Sequence, residues 1–193
     1  MTRICVFCGS SPGSRPDYLE AAKQVGHALV SRGLELVYGG ANVGLMGALA
    51  DAVLEQGGRV TGIIPEALVT KEVAHPGLTE LRIVQSMHQR KAQMEELSAG
   101  FIALPGGFGT LEEIFEVLTW AQLGIHPKPC GLLNIAGYYD HLLAFLAHST
   151  SQRFVSQAHA GMLLVEGDPD ALLDVFENYV PPTSDKLLDR SQN

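Results

Sequence analysis

Apolar runs alternate with amphipathic segments along almost the whole chain. Short β-type runs stand at Ile4–Cys8, Leu34–Tyr38, Val60–Ile64, Leu81–Val84, Phe101–Leu104, Gly131–Leu133 and Met162–Val165, and most are followed by a segment of helical period. That order predicts an α/β fold, a parallel sheet flanked by helices. Helix-end residues agree with it. Pro16 opens a helix that Gly33 closes, Gly57-Gly58 end the segment after Gly44, and Asp168-Pro169 supply N-cap and N1 for a last helix through Tyr179. With no internal repeat, low-complexity segment or linker, one domain is expected over residues 1–180. A polar tail, 181–193, begins at Pro181-Pro182 and reads as disordered or packed on a partner.

In such a sheet, ligands bind beyond the carboxyl ends of the strands. The glycines fall there. CGSSPGS follows the first run, YGGANVGLMG the second and PGGFGT the run FIAL. A single glycine pair is ordinarily a tight strand-to-helix turn, but three small-residue loops leaving strand ends together point to a ligand. None is a G-x-G-x-x-G fingerprint in register, and G-x-x-x-x-G-K-[ST] is absent, so neither a dinucleotide nor a Walker-type cradle is supported. One phosphate or a small phosphoester is the more economical guest.

Charge narrows the partner. The formal net charge is −8 and the basic residues form no run beyond Arg90-Lys91, which argues against nucleic acid. No apolar stretch approaches a membrane span and the N-terminal run is too short for a signal segment, so no membrane partner and a cytoplasmic location are expected. The three cysteines, Cys5, Cys8 and Cys130, fit reduced core thiols. Cys5 and Cys8 have CxxC spacing but lie inside a strand-like run without a second pair or nearby histidines, so no metal is expected.

Two stretches carry the chemistry. In Pro105–Glu113, PGGFGTLEE, three glycines before a helix form a nest for an anion, yet Glu112 and Glu113 stand beside it. Thr110 to Glu113 also has the spacing of a capping box, with Thr110 as N-cap and Glu113 at N3, so Glu113 reads either as a cap or as a reacting carboxylate. The second stretch, Met87–Leu97, reads as a helix on which Met87, Arg90, Lys91 and Met94 share one face. Two cations on that face and near a helix start either pair with Glu95 or Glu96 or await an anion. His88 is a weaker candidate, for a local hydrogen bond or a catalytic role. A ligand with a phosphate at one end and a glycosidic carbon a few ångströms away reconciles nest and carboxylate: a nucleoside 5′-monophosphate.

PGGFGTLEE and Met87-His88-Gln89-Arg90-Lys91 resemble the P-G-G-x-G-T-x-x-E and M-H-x-R-K signatures of the Lonely guy family of cytokinin riboside 5′-monophosphate phosphoribohydrolases. CGSS, YGGANVGLMG and Thr119–Gly124 follow in that family's order, and the likeness runs from about Ile4 to Tyr179. The resemblance implies a single Rossmann-like domain, a homodimer, no cofactor, and hydrolysis of the N-glycosidic bond of N6-substituted adenosine monophosphates or AMP. It also implies catalytic roles for Arg90 and Glu113. Substrate contacts are implied from Lys91, from the loop Gly106, Gly107, Phe108, Gly109, Thr110, Leu111, Glu112 and Glu113, and from Glu72 and Thr119. Ala41 departs from a glycine common in the family and puts close backbone approach there in doubt. The label "lysine decarboxylase" attached to such sequences is not supported, since no pyridoxal phosphate site is recognisable. The rival class is a carrier or sensor that binds a nucleotide or phosphorylated cofactor, as in related molybdenum-cofactor carriers. The helix Ile114–Leu123 has more large apolar side chains than one sheet-facing stripe needs, which predicts burial against a second copy.

Overall fold

A computed structural model describes residues 2–69 and 73–182. The chain runs β1 (Arg3–Phe7), α1 (Pro16–Ser31), β2 (Glu35–Tyr38), α2 (Gly44–Glu55), β3 (Val60–Pro65), α3 (Glu66–Val69), β4 (Glu80–Val84) and α4 (Met87–Leu97). It continues β5 (Phe101–Ala103), α5 (Phe108–Gln122), β6 (Cys130–Leu133), α6 (Asp140–Ser151), α7 (Gln157–Ala160), β7 (Leu163–Glu166) and α8 (Pro169–Glu177). A short 3-10 turn, Ile135–Gly137, joins β6 to α6. Glu72 and the tail beyond Pro182 lie outside the described residues.

Every predicted strand is present. The seven strands form one parallel sheet in the order β4-β3-β2-β1-β5-β6-β7. Successive strands move outward from β1 to β4, then the chain returns to lay β5 on the other side of β1. The crevice between the carboxyl ends of β1 and β5 is therefore the switch point at which such sheets bind ligands. There Gly9 N–H donates to the Pro105 carbonyl at 3.0 Å, tying the first glycine loop to the third.

The sheet is covered on both faces, which is why β1 reads as an unbroken apolar run. Ile4, Val6 and Cys8 join a core with α1, α2 and α8; Cys5 and Phe7 join another with Met94 of α4 and Ile114 and Val117 of α5. Cys5 and Cys8 thus belong to different cores, and all three cysteines are buried free thiols. Burial raises the Cys5, Cys8 and Cys130 thiols, the last to about 12.

Helix ends follow the sequence closely. After α1, Gly33 takes φ +67 and the Leu34 N–H returns to the Leu29 carbonyl at 2.9 Å; after α2, Gly58 N–H returns to Val53. Asp168 caps α8 by accepting from the Ala171 N–H at 2.9 Å. That helix ends at Glu177 rather than Tyr179. The larger difference is α5, whose N-cap is Gly107 and not Thr110.

Candidate active site

Ser86 caps α4 by accepting from the Gln89 N–H at 3.2 Å, which fixes where the helix starts and so where Arg90 and Lys91 point. Adjacent residues on a helix diverge by about 100°. Arg90 turns inward and is 6% exposed, with Met94 below it. Lys91 reaches across to α5, where it pairs with Glu112 and, at 3.0 Å, with Glu116. Burial works against its charge, but the two carboxylates outweigh it and raise its pKa. Glu95, expected as a possible partner of this pair, instead holds Lys128 at 2.6 Å.

Helix α5 starts three residues earlier than a capping box requires. Thr110 lies inside its first turn and is 4% exposed, and Glu113 lies in the second turn at 9%. The capping-box reading of Thr110 and Glu113 is therefore corrected. The cause is the short turn before the helix: Pro105 accepts from Gly9, and the Gly106 carbonyl accepts from the Tyr138 hydroxyl at 2.6 Å, so the chain enters the helix immediately. A Cβ on Gly106 would overlap the Thr110 hydroxyl, which explains the glycine. The first intrahelical bond runs from the Leu111 N–H to the Gly107 carbonyl at 3.1 Å, leaving the amides before it without intrahelical acceptors, as at any helix start.

These groups converge on a cleft of about 290 Å³ at the switch point. One wall is Gly107, Phe108, Gly109 and Thr110 at the start of α5; facing it are Cys8, Gly9 and Ser10 after β1, and Met46, Leu68, Met87 and Met94 supply apolar surface. Phe108 stands at 94% exposure. At the bottom, Arg90 Nη2 lies 3.6 Å from Glu113 Oε1, both side chains almost fully buried. A buried pair of this kind adds little net stability, because desolvation offsets the attraction. What it does is hold one carboxylate and one guanidinium at fixed orientation beside a row of helix-start amides. Chemically, the cleft offers an anion site at one end and a charged pair at the other.

The second glycine loop makes room for Arg90. A Cβ on Gly39 would overlap the Arg90 guanidinium and crowd the Met46 methyl, and one on Gly44, at φ +55, would strike the Ser10 backbone. Ala41 does not line the cleft. It is buried, its carbonyl accepts from the Tyr38 hydroxyl at 3.2 Å, and it bridges Ala74, so its methyl does not obstruct approach to the site.

The remaining candidates lie elsewhere. Leu111 packs on the core under α5, and Glu112 is held by Lys91 at the edge. His88 is exposed and outside the cleft. Thr119 donates to the Phe115 carbonyl at 2.6 Å and faces a separate apolar groove between α5, α6, α7 and β7. That groove, about 750 Å³, is larger than the cleft, but among the described residues that line it none is Asp, Glu, Arg or Lys. Sequence reasoning did not single out Met46, Leu68 or Tyr138. Only Tyr138 had a signal, an aromatic pair directly after a glycine beyond a strand end.

Residues 46–176 match the family model described as "Possible lysine decarboxylase". The chain is 52% identical over 183 residues to the probable cytokinin riboside 5′-monophosphate phosphoribohydrolase LOGL5 of Oryza sativa subsp. japonica, covering 95% of this chain and 74% of the relative. It is 49% identical to the cytokinin riboside 5′-monophosphate phosphoribohydrolase LOG2 of Arabidopsis thaliana, covering 95% and 86%. The chain belongs to the Lonely guy family. Among solved structures, the molybdenum cofactor binding protein of Rippkaea orientalis superposes with a TM-score of 0.68 over 92% of this chain and 96% of that one, at 22% identity. That likeness shows the fold, which this chain and that cofactor-binding protein share. Within this Lonely guy protein, the residues of the two signatures that meet in one cleft are Met87, Arg90, Glu113 and the Gly107–Thr110 helix start.

Proposed function

We propose that Arg90 and Glu113 are the groups with which this chain hydrolyses the N-glycosidic bond of a cytokinin riboside 5′-monophosphate or AMP. The 5′-phosphate sits on the α5 helix start at Gly107–Thr110, where backbone N–H groups and the helix dipole favour an anion. The ribose then extends toward the buried pair. The oxygen of water bonds to C1′ as the C1′–N9 bond breaks, one of its protons ends on the departing base, and the products are free base and ribose 5-phosphate. The sugar carbon becomes cationic as the bond breaks, and Glu113 stabilises it and orients the water. Arg90 holds the carboxylate in place and orients the nucleotide. Lys91, tied to Glu112 and Glu116, clamps α4 against α5 and so keeps Arg90 beside Glu113. The observation that carries this reading is the 3.6 Å Arg90–Glu113 pair at the bottom of a cleft walled by a helix start.

Incubation with AMP and with isopentenyladenosine 5′-monophosphate, followed by chromatography, should show free base and ribose 5-phosphate. Binding without base release would instead leave a carrier. Because the helix start recognises the phosphate, adenosine and isopentenyladenosine should be far poorer substrates than their monophosphates. Equal specific activity on nucleoside and nucleotide would remove the phosphate from Gly107–Thr110.

The functional unit in this reading is a homodimer. Phe115 and Leu118 of α5 line the apolar groove with Leu143, Leu146 and Met162, and Phe145 and Phe154 are exposed at 63% and 87%. Such a face is suited to a second copy, which would also cover Thr119. Light scattering at micromolar concentration should report a dimer, and a stable monomer would refute it. A cytoplasmic location fits buried free thiols; among the described residues, no helix is long and apolar enough to cross a membrane.

A further inference from the structure

Outside its charged pair, the cleft depends on backbone amides, and an amide points where its peptide plane is turned. The plane between Gly106 and Gly107 has a glycine on either side. A Cβ on Gly106 would strike Thr110, whereas one on Gly107 would meet nothing within 4 Å, so sterics crowd the plane on its Gly106 side and leave its Gly107 side open. In a trans peptide the C=O and N–H point in opposite directions. The Gly106 carbonyl accepts from the Tyr138 hydroxyl at 2.6 Å. The Gly107 N–H is therefore turned away from Tyr138, and Gly107 lines the cleft.

Tyr138 is itself held on two sides. Its ring meets Tyr18 edge-on at 5.6 Å and Tyr139 edge-on at 4.9 Å. Tyr18 in turn lies against Gly13 of the first loop, where a Cβ would overlap its ring. The neighbouring Tyr139 hydroxyl donates to the Leu104 carbonyl at 2.6 Å. Two phenols that follow the 3-10 turn therefore grip the segment 104–107 at both ends. Their settings differ: Tyr139 is 2% exposed, whereas Tyr138 is 41% exposed. Packing alone does not call for a hydroxyl on a ring as open as Tyr138.

We propose that Tyr138 is a positioning residue: by taking up the Gly106 carbonyl it turns the Gly107 amide toward the substrate's 5′-phosphate and so sets the preference for phosphorylated ribosides. The inference rests on the phosphate placement proposed above. Tyr138→Phe removes one oxygen and keeps both ring contacts, and Tyr139→Phe removes the equivalent oxygen from the other end of the turn. Wild type and both variants are assayed for base release from isopentenyladenosine 5′-monophosphate and from isopentenyladenosine, with ribose 5-phosphate as a competing inhibitor.

For Tyr138→Phe, the nucleotide-to-nucleoside ratio of kcat/KM should fall about 5- to 10-fold, the size of one net hydrogen bond. The fall should appear in KM, the inhibition constant of ribose 5-phosphate should rise by a similar factor, and Tm should stay within about 2 °C. Tyr139→Phe should lower Tm, since it strands a buried carbonyl, while keeping the wild-type ratio. An unchanged ratio and inhibition constant in Tyr138→Phe overturns the inference while leaving the phosphate placement intact, and so does an equal fall in both variants. If wild type already treats nucleoside and nucleotide alike, the phosphate placement fails first and this role fails with it.

Discussion

Glu113→Gln should lose about 10²-fold or more in turnover on a nucleoside 5′-monophosphate, the range typical of removing a positioned charged group from a reacting centre. Glutamine keeps the length of the side chain and an oxygen for Arg90, so substrate binding should change little and the loss should fall on kcat. The position of Glu113 makes this a direct test. It is buried in the second turn of α5, three residues beyond where a cap would act, so a capping defect does not account for a slow variant. Free base released per unit time, measured alongside a melting curve, checks the expectation. A variant that turns over at near the wild-type rate would leave Glu113 no chemical role.

Arg90→Met should lose activity on a similar scale, with a rise in KM as well, because the guanidinium both holds the carboxylate and orients the nucleotide. Stability supplies a second readout. Each single change breaks a buried ion pair from one side, which typically costs about 3–5 kcal/mol. For a chain of this length that corresponds to a fall in Tm of roughly 6–20 °C, less for Glu113→Gln because the amide can still accept a hydrogen bond. The double variant Arg90→Met/Glu113→Gln removes both charges together. It should regain much of the lost Tm, since replacing a buried pair by neutral groups of similar volume is often close to neutral, but it should recover no activity. Thermal unfolding of the four proteins, with base release assayed in parallel, tests this. If the double variant were as unstable as the sum of the two singles, the 3.6 Å contact would not be energetically coupled.

Much of the molecule was legible from local rules. Seven apolar runs became seven parallel strands because strand and helix periods repeat over a few residues, and Gly33, Gly57 and Asp168 mark helix ends through their own backbone and side-chain preferences. The signature glycines likewise announced close backbone approach, and the structure shows what approaches: the Arg90 guanidinium at Gly39 and the Thr110 hydroxyl at Gly106. What the sequence could not decide was set by partners distant along the chain. The start of α5 depends on Gly9 and Tyr138, which lie about a hundred residues before and about thirty after the turn they hold. Local spacing therefore pointed to Thr110 as the cap when Gly107 is. The division of labour between Arg90 and Lys91 also depends on distant residues. Neighbours on one helix face different directions, and only the position of α5 made one of them a cleft residue and the other a clamp. Strand order had the same dependence. Nothing within β5 says that it pairs with β1, yet that pairing creates the switch point where the first and third glycine loops meet. The sequence determined which local structures and which chemical groups the protein has; long-range hydrogen bonds and helix packing decided which of those groups face one another.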